Sequence, residues 1–320
     1  MDINREILQL NWDREPKGLY APIAYTLAAG GKRVRPQLAI IASQMFGGKD
    51  EDVLPAALAL EIFHNFTLLH DDVMDHAEVR RGRPTVHIQW NENTAILSGD
   101  QMMIEAYTQL SKVPTHTLAR VLQLFNQMAT EICEGQQYDV DFEQKNNVSI
   151  DEYLMMIRLK TSVLLANALQ IGAYIAGATK EEQRALYQFG INIGLAFQIQ
   201  DDILDVWGDP KTFGKAIGGD IACNKKTFVY LQAMRLLGDE AISLEAREEL
   251  EDWYGKLLDD NKEKIARVKE IFEQLGVREA CEQVVADYTK KALQILDTLP
   301  QNAATEQLRQ MAEKLLARSV

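Results

Sequence analysis

Cysteine is scarce in this chain, and the few cysteines present are scattered. Cys133, Cys223 and Cys281 have neither metal-ligand spacing nor the even, regular spacing of a disulfide framework. We therefore expect no disulfide scaffold and no zinc site. An odd, unpatterned set of thiols is typical of a reducing compartment, so we expect a cytoplasmic protein.

Positive charge is also in short supply. The chain has 34 Lys and Arg against 47 Asp and Glu, which gives a formal net charge of −13. An acidic protein repels phosphate backbones and anionic membranes, so we expect no nucleic-acid partner and no anionic-membrane partner. If this protein binds an anionic ligand, its basic groups must be concentrated locally.

Long apolar runs are missing as well. No run of 18 consecutive apolar residues occurs, and residues 1–15 contain no apolar segment of signal-peptide length. We therefore expect no membrane-spanning helix and no signal peptide. Linker-like stretches and short repeats are also absent, which favours one domain over residues 1–320.

The hydrophobic pattern predicts helices almost throughout. Apolar residues recur at three- and four-residue spacing, whereas no useful period-2 alternation indicates a strand. The predicted helices cover 21–29, 36–46, 52–75, 92–111, 114–138, 150–177, 181–205, 224–237, 261–275, 277–297 and 303–318. Segments 52–75 and 150–177 are apolar on more than one face, which is typical of helices in the middle of a large bundle. The pattern therefore predicts an all-α fold.

The most informative stretch is 68–87, LLHDDVMDHAEVRRGRPTVH, which contains a D-D-x-x-D motif. On a helix, Asp71 and Asp75 are one turn apart, with Cβ atoms roughly 5–6 Å apart. Carboxylates this close repel one another unless a cation lies between them. Magnesium suits such a site because it keeps some waters and shares its other positions with substrate phosphates. Arg80 and Arg81 follow, and arginine is suited to bidentate phosphate binding.

A second copy of the motif follows another apolar run. Residues 197–205, FQIQDDILD, place Asp201, Asp202 and Asp205 in the same D-D-x-x-D spacing as Asp71, Asp72 and Asp75. One such motif is commonly a solvated acidic face, but two motifs at the ends of apolar helices favour a function. Two such motifs facing each other across a cavity would hold several magnesium ions on one diphosphate.

In these motifs the sequence resembles the trans-type isoprenyl diphosphate synthases, or polyprenyl synthetases. The resemblance runs from about Gly30 to Lys226. It implies a bundle of about ten or more helices around a central cavity, consistent with the helical periodicity. It also implies that the substrates are isopentenyl diphosphate and an allylic diphosphate. The cofactor would be magnesium, with three ions bound together with the allylic diphosphate. The resemblance further implies a homodimer.

The resemblance assigns one group of residues to isopentenyl diphosphate. The turn GGKRVRP at 30–36 lets the backbone approach an anion closely and supplies three cations. Alone, a turn of this kind is more often a solvated basic loop, and a histidine placed like His64 is more often a core residue bonded to the backbone. In the family the group around isopentenyl diphosphate corresponds to Lys32, Arg33, Arg35, His64 and Arg81.

A second group corresponds to the allylic substrate. Lys160 interrupts an apolar helix and therefore needs a negative partner, unless it reaches solvent at the edge of the bundle. Thr161 and Gln198 carry oxygen atoms that could stabilise a carbocation. The family's allylic diphosphate ligands correspond to Arg80, Lys215 and Lys225, with Lys226 as an alternative to Lys225.

In this family, the residues four and five positions before the first motif help to set the product length. They are Thr67 and Phe66 here, and the first motif lacks a two-residue insertion. This pattern resembles geranylgeranyl (20-carbon) synthases more than farnesyl (15-carbon) synthases. On an ideal helix, Thr67 lies about 40° from Asp71 and Phe66 about 140° away, which would give Thr67 the larger role.

Three other functions remain alternatives. A terpene cyclase would ionise the same class of substrate but would leave the GGKRVRP turn and the adjacent arginines unexplained. A non-catalytic partner subunit of a heteromeric synthase typically lacks one aspartate motif, and this chain has both. A helical scaffold with acidic faces predicts no magnesium-dependent diphosphate binding.

Overall fold

The fold is described from a computed structural model, which describes residues 1–145, 147–209, 217–238, 244–256, 258 and 260–316. Its helices are α1 Ile3–Leu8, α2 Lys17–Ala28, α3 Val34–Met45, α4 Asp50–Met74, α5 Val86–Gln89, α6 Glu92–Leu110, α7 Thr115–Gln144, α8 Ile150–Ile157, α9 Val163–Ile175, α10 Lys180–Trp207, α11 Gly219–Ala222, α12 Phe228–Leu237, α13 Leu244–Gly255, α14 Lys262–Gln274, α15 Val277–Leu296 and α16 Ala303–Leu316. The all-α prediction is confirmed.

Helices α1, α5, α11 and α13 are not predicted by the periodicity, and neither are two features close to the predicted site residues. Strands β1 (Val79–Arg80) and β2 (Arg83–Pro84) form a short antiparallel hairpin. The segment predicted as one helix over 150–177 is interrupted by a π-helical turn at Arg158–Ser162. Both features lie beside residues that the sequence assigns to the site.

The chain divides into two compact units. The first unit comprises Met1–Gln127, Asn167–Tyr187 and Leu299–Leu308, and the second comprises Met128–Ala166, Gln188–Thr298 and Arg309–Val320. Each unit is therefore assembled from three separate stretches of chain. A single domain over the whole chain stays a prediction.

Helix α4 is the central element of the first unit. Its first turn carries Asp50, Glu51 and Asp52, which favour the positive end of the helix dipole. Its middle, from Ala56 to Phe63, is buried throughout and packs against α3 and α6. This packing fixes the last turn of α4, where the first aspartate motif lies.

In the second unit, the close approach of helices depends on small residues. A Cβ atom added at Gly135 on α7 would lie 2.3 Å from the backbone nitrogen of Lys160. A Cβ atom at Gly194 on α10 would lie 2.6 Å from the side chain of Ser162. These contacts bring α7 and α10 directly against the π-helical turn and so position Lys160.

Within the part of the chain that the structure describes, two helical stretches are long and apolar enough to cross a membrane by length and composition alone. They are α4, Asp50–Met74, and the stretch Ile150–Ile175, which includes α8 and α9. Most of each apolar window is buried within the fold, 61% and 67% respectively. Core packing therefore accounts for the apolar character of both stretches.

Candidate active site

The first aspartate motif occupies the C-terminal end of α4. Asp71 is half-buried, Asp72 is buried and Asp75, the C-cap residue, is exposed. This end of a helix carries partial negative charge, and the last turn of α4 contains no basic residue. Three carboxylates at this position are therefore electrostatically unfavourable unless cations from elsewhere compensate them.

Arg80 supplies one such cation to the middle aspartate. Its Nε donates to both carboxylate oxygens of Asp72, at 2.7 and 2.8 Å, and its Nη2 lies 2.6 Å from Oδ1. The side chain of Asp72 is only 7% exposed. Asp72 therefore fixes Arg80, whereas Asp71 and Asp75 are the more accessible carboxylates of the motif.

The β hairpin explains why the adjacent residues Arg80 and Arg81 contact different parts of the protein. Arg80 pairs with Arg83 in register, and Arg81 and Gly82 form the turn with positive φ values of 53° and 72°. Arg80 extends to Asp72, whereas Nη1 of Arg81 donates to the carbonyl of Gly30. The two guanidinium groups thus point in different directions.

The GGKRVRP turn meets the hairpin through Arg81. Gly31 has a φ of 137°, and a Cβ atom there would lie 3.1 Å from the guanidinium carbon of Arg81. Lys32 is exposed at the same turn. The Nε of Arg35 is buried and donates to no acceptor among the described residues. Burial lowers the pKa of Arg35 to about 10, so its guanidinium remains positive at neutral pH.

Arg33 does not fit the role of a diphosphate ligand. It is buried, and its Nη1 lies 2.6 Å from Oε1 of Glu61, which is also buried. Its Nε donates to Asn4 at 3.2 Å, and its Nη2 donates to the carbonyl of Leu27. The structure therefore revises the sequence-based expectation: Arg33 neutralises a buried glutamate and ties α1 and α2 to α4.

His64 lies half-buried on α4. It is close to a cluster of arginines formed by Arg33, Arg35, Arg80 and Arg81. Burial, followed by the positive charges of Arg35 and Arg81, lowers the pKa of His64 well below its usual value. The imidazole is therefore neutral at physiological pH. A neutral histidine among arginines provides a hydrogen-bonding group without adding to their mutual repulsion.

The second aspartate motif occupies the end of α10, where Asp201 is half-buried and both Asp202 and Asp205 are buried. Asp202 is buried and accepts hydrogen bonds from the Tyr153 hydroxyl at 2.6 Å and the Phe228 amide at 3.0 Å. Gln198 donates to it at 3.4 Å. Burial and the nearby Asp220 raise the pKa of Asp202 to about 7 in the protein without metal. As in the first motif, the middle aspartate is held by protein groups.

The outer aspartates of this motif line a pocket of about 190 Å³. Asp205 accepts a hydrogen bond from the Asp220 amide at 3.0 Å, and Asp201 is half-buried at the pocket wall. The pocket lining brings together residues that the sequence assigns to the allylic substrate: Lys160, Thr161, Gln198, Asp201, Asp202, Asp205 and Lys225. The pocket therefore combines carboxylates with two lysines.

Asp139 is a pocket residue that the sequence analysis did not identify. Its Oδ2 lies 2.6 Å from Nζ of Lys160 and 3.8 Å from Nζ of Lys225. Burial alone would raise the pKa of Asp139, but the two lysines lower it overall. Asp139 thus holds the ammonium groups of Lys160 and Lys225 close together in the pocket. An acidic residue on a helix is too common for the sequence to single it out.

The π-helical turn explains the interruption at Lys160 and Thr161. Such turns shift the backbone register and are frequent at functional sites. Here the turn directs Lys160 to Asp139, and the Thr161 hydroxyl donates to Oε1 of Gln198 at 3.2 Å. All three residues predicted as catalytic therefore lie on one pocket wall.

Of the remaining lysines, only one is placed at this pocket. Lys215 lies outside the described residues. Lys226 donates to the carbonyl oxygens of Phe142 at 3.1 Å and Glu143 at 3.4 Å, at the end of α7. Lys225 lines the pocket, which favours it over Lys226 as the diphosphate ligand.

The two predicted chain-length residues lie one turn before the first motif. The Phe66 ring packs 5.4 Å from the Phe63 ring and 4.8 Å from the His70 ring, measured between centroids. The Thr67 hydroxyl donates to the carbonyl of His64 at 2.8 Å. Phe66 is therefore held in an aromatic cluster, and Thr67 is bonded to its own helix.

The donor set fits magnesium held jointly with a phosphate ligand. Within the described part of the chain, no group of three or more His, Cys, Asp or Glu side chains could hold a metal ion by itself. Magnesium is usually bound through one or two carboxylates and the phosphates of a substrate. The motifs meet that requirement at the negative ends of two long helices: Asp71, Asp75 and Asp201 are half-buried or exposed carboxylates, and the buried Asp205 lines the pocket.

The chain is similar to known proteins over most of its length. Residues 16–275 match the family model for Polyprenyl synthetase. The chain is 38% identical to a geranylgeranyl diphosphate synthase of Methanosarcina mazei, covering 95% of this chain and 90% of that protein. It is 35% identical to a geranylfarnesyl diphosphate synthase of Natronomonas pharaonis, covering 96% and 92%.

A solved structure is similar over nearly the whole length. A crystal structure of geranylgeranyl pyrophosphate synthase superposes with a TM-score of 0.91 at 43% identity, covering 99% of this chain and 96% of that one. The chain therefore belongs to the polyprenyl synthetase family. Its fold is the all-α fold of these synthases.

Proposed function

We propose that the protein is a short-chain trans-prenyltransferase that condenses isopentenyl diphosphate with an allylic diphosphate and releases geranylgeranyl diphosphate. The observation that carries this proposal is the shared design of the two aspartate motifs. In each motif a buried middle aspartate is fixed by protein donors, and cationic residues lie beside it. Family membership supports the same reaction class.

By family membership, the residues of both aspartate motifs are assigned to the allylic diphosphate. Asp71, Asp75, Asp201 and Asp205 are the proposed magnesium ligands, with Asp72 and Asp202 as their buried supports. The family uses Mg²⁺, and we propose three ions per allylic diphosphate. Magnesium held by these residues would neutralise the charge of the leaving diphosphate. Arg80, Lys160, Lys225 and, outside the described residues, Lys215 would add positive charge there.

Isopentenyl diphosphate is assigned to the arginine cluster of the first unit. Lys32, Arg35 and Arg81 would bind its diphosphate, since guanidinium groups match phosphate oxygens. His64 would contribute a hydrogen bond as a neutral imidazole. The buried, unpartnered Nε of Arg35 supports this assignment, because such a donor needs an acceptor.

The chemistry consists of one bond breaking and one bond forming. The allylic C–O bond breaks and the electron pair leaves with the diphosphate. The double bond of isopentenyl diphosphate then attacks the allylic cation and forms the new C–C bond. Oxygen atoms of Thr161 and Gln198 would stabilise the cation, and a proton leaves to the departed diphosphate. Apolar walls must exclude water, because water would convert the cation to an alcohol.

The product length is the finer part of the proposal. Phe66, held by Phe63 and His70, would block further elongation, and Thr67 would leave room beside it. The name of the M. mazei relative supports a 20-carbon product. A 25-carbon geranylfarnesyl product is the second candidate, because that is the name of a relative of comparable similarity. Farnesyl diphosphate remains the shorter alternative.

A homodimer in the cytoplasm completes the proposal. Leu97 and Ile104, seven residues apart on α6, are 59% and 57% exposed, and Ile96 and Tyr107 extend the same surface. An exposed apolar surface of this kind favours burial against a second copy. The exposed thiols of Cys133 and Cys223 support a reducing compartment.

The test is Mg²⁺-dependent consumption of isopentenyl diphosphate by the purified protein, measured with 5-, 10- and 15-carbon allylic primers separately. Consumption with release of one inorganic diphosphate per condensation supports the proposal. A hydrocarbon formed without consumption of isopentenyl diphosphate would identify a terpene cyclase. A folded protein without turnover would indicate a partner subunit, and the catalytic assignments would be withdrawn.

A further inference from the structure

Lys264 on α14 is a fully buried lysine that lies outside all of the motifs described above. Its relative exposure is 0%, which makes it one of the largest fully buried side chains. Its Nζ donates to Oδ1 of Asn224, to the carbonyl of Lys256 at 2.8 Å and to the carbonyl of Ala222 at 3.4 Å. Burying an ammonium group is unfavourable unless its hydrogen bonds are made, so this geometry is tightly specified.

The acceptors of Lys264 belong mainly to the turn that leads into Lys225. Asn224 has a left-handed φ of 57°, which non-glycine residues seldom adopt. The Lys225 amide donates to the Asp220 carbonyl at 2.8 Å, which closes the turn. Lys264 donates hydrogen bonds to the turn at both Ala222 and Asn224. Its ammonium group therefore fixes Asn224, the residue with the left-handed backbone, through its side chain.

The C-terminal helices hold this turn at two further points. The Tyr254 hydroxyl of α13 donates to the Lys225 carbonyl at 3.2 Å, and the Tyr254 ring stacks on Tyr230 with centroids 4.0 Å apart. Gly218, just before the turn, has a φ of 80°, and a Cβ atom there would lie 2.6 Å from the Ile265 side chain of α14. The turn is therefore fixed by residues adjacent to Lys264 as well as by Lys264 itself.

What the turn presents is the side chain of Lys225. Its Nζ lies 3.8 Å from Asp139, which also binds Lys160, and all three residues line the same pocket. A shift of the turn by even 1 Å would move this cation away from the place where Lys160 points. Charge placement of this accuracy depends on residues that support the ligand from behind.

We propose that Lys264 is a positioning residue for the allylic diphosphate site: by holding the Ala222–Lys225 turn, it places Lys225 opposite Lys160. The inference rests on the proposed function, and it extends that function to a residue that touches neither substrate. Loss of Lys264 should therefore weaken use of the allylic substrate and leave isopentenyl diphosphate binding unchanged.

The test is steady-state kinetics of Lys264→Met, with each substrate varied separately at saturating Mg²⁺. We expect the KM for the allylic diphosphate to rise about tenfold, because the turn loses its charge-assisted hydrogen bonds to the ammonium group. The KM for isopentenyl diphosphate should stay within twofold of wild type. Lys262→Met is the matched control, because Lys262 lies on the same helix but its side chain is 91% exposed; it should behave as wild type.

Variants of the acceptor distinguish positioning from general stability. Asn224→Gly keeps the left-handed backbone but removes Oδ1, and it should reproduce the rise in allylic KM even if Lys264→Met does not fold. Asn224→Asp keeps an acceptor and should restore a value near that of wild type. In the double variant of Lys264→Met and Asn224→Gly the effects should be less than additive, because both substitutions remove the bond between Lys264 and Asn224.

The outcomes separate this inference from the proposed function. If wild type turns over prenyl diphosphates and both Lys264→Met and Asn224→Gly leave the allylic KM unchanged, the positioning role is overturned. An equal rise in both KM values, or a loss of thermal stability with no change in KM, also overturns it. A wild-type protein without prenyl transfer would instead overturn the proposed function.

Discussion

The Nε atom of Arg80 lies within 2.8 Å of both carboxylate oxygens of Asp72, and this ion pair joins the hairpin to the end of α4. It explains why a motif of three aspartates includes one buried member. Asp72 holds Arg80, and Arg80 in turn would present its remaining donors to the allylic diphosphate. The pair therefore links the acidic motif to the basic residues that follow it in sequence.

Replacing Arg80 with lysine should show how much this geometry matters. Lysine keeps the positive charge but lacks the planar fork that contacts both oxygens of Asp72. We expect Arg80→Lys to raise the KM for the allylic diphosphate about tenfold, with little change for isopentenyl diphosphate. Steady-state kinetics with each substrate varied measures this, and equal effects on both substrates would contradict the assignment.

Asp139 should matter although it belongs to neither motif. Asp139→Asn removes the charge that holds Lys160 and Lys225 together. We expect kcat/KM for the allylic diphosphate to fall about tenfold. Asp141→Asn, an exposed aspartate on the same helix, is the control and should keep wild-type kinetics. Wild-type kinetics for Asp139→Asn would show that the lysines need no such partner.

Gly31 should be required for the position of Arg81. Gly31→Ala adds a Cβ atom 3.1 Å from the guanidinium and strains a backbone with a φ of 137°. We expect a rise in the KM for isopentenyl diphosphate of several-fold or more. Gly47→Ala carries comparable strain at a φ of 75° with no neighbour within 4 Å, and it controls for stability. If Gly31→Ala and Gly47→Ala have the same KM for isopentenyl diphosphate, the close approach of Gly31 to Arg81 has no role in binding this substrate.

His64 should make the fold sensitive to mild acid. The pKa of His64 is well below that of an unfolded histidine, which is about 6.5. As the pH falls below this value, the unfolded chain binds a proton before the folded chain does. Protonation of His64 in the unfolded chain should therefore decrease the free energy of unfolding by up to about 1.4 kcal/mol per pH unit. This contribution is fully present above pH 6.5.

Urea unfolding of wild type and His64→Gln at pH 7.5 and pH 5.5 measures this contribution. The variant should lose less stability on acidification than wild type, because it has no imidazole to charge. If the two proteins lose the same free energy between these values, the neutral state of His64 makes no difference to stability.

Phe66 should limit the length of the product. Phe66→Ala removes a ring that packs on Phe63 and His70 and leaves space one turn before the first motif. We expect products longer than 20 carbons, detected by mass spectrometry of the dephosphorylated alcohols. Thr67→Ala is the neighbouring control and should change the distribution less. The reverse order would support the simple helical-wheel argument, which gives Thr67 the larger role.

Much of the site was predictable because its residues occur in local motifs. Helical periodicity predicted α4 and α10, and the spacing of acidic residues identified their functional ends. The role of the middle aspartates was not predictable, because it depends on the Tyr153 hydroxyl, which lies elsewhere in the sequence, and on the hairpin that directs Arg80 to Asp72. For the same reason, Arg33 could not be recognised as the partner of buried Glu61.

Other features depend on contacts distant in sequence. Asp139 and Lys264 are ordinary charged residues in amphipathic helices, and only the fold places them next to Lys160 and Asn224. The hairpin at 79–84 is too short for a period-2 pattern to reveal. The π-helical turn was indicated only indirectly, by a lysine in an apolar segment.

The central claim is most directly tested by the product formed from the 15-carbon allylic primer, labelled isopentenyl diphosphate and Mg²⁺. The account predicts a single 20-carbon diphosphate with the label incorporated, and no product when Mg²⁺ is chelated. Formation of labelled product without magnesium, or conversion of the primer to an unlabelled hydrocarbon, would contradict it.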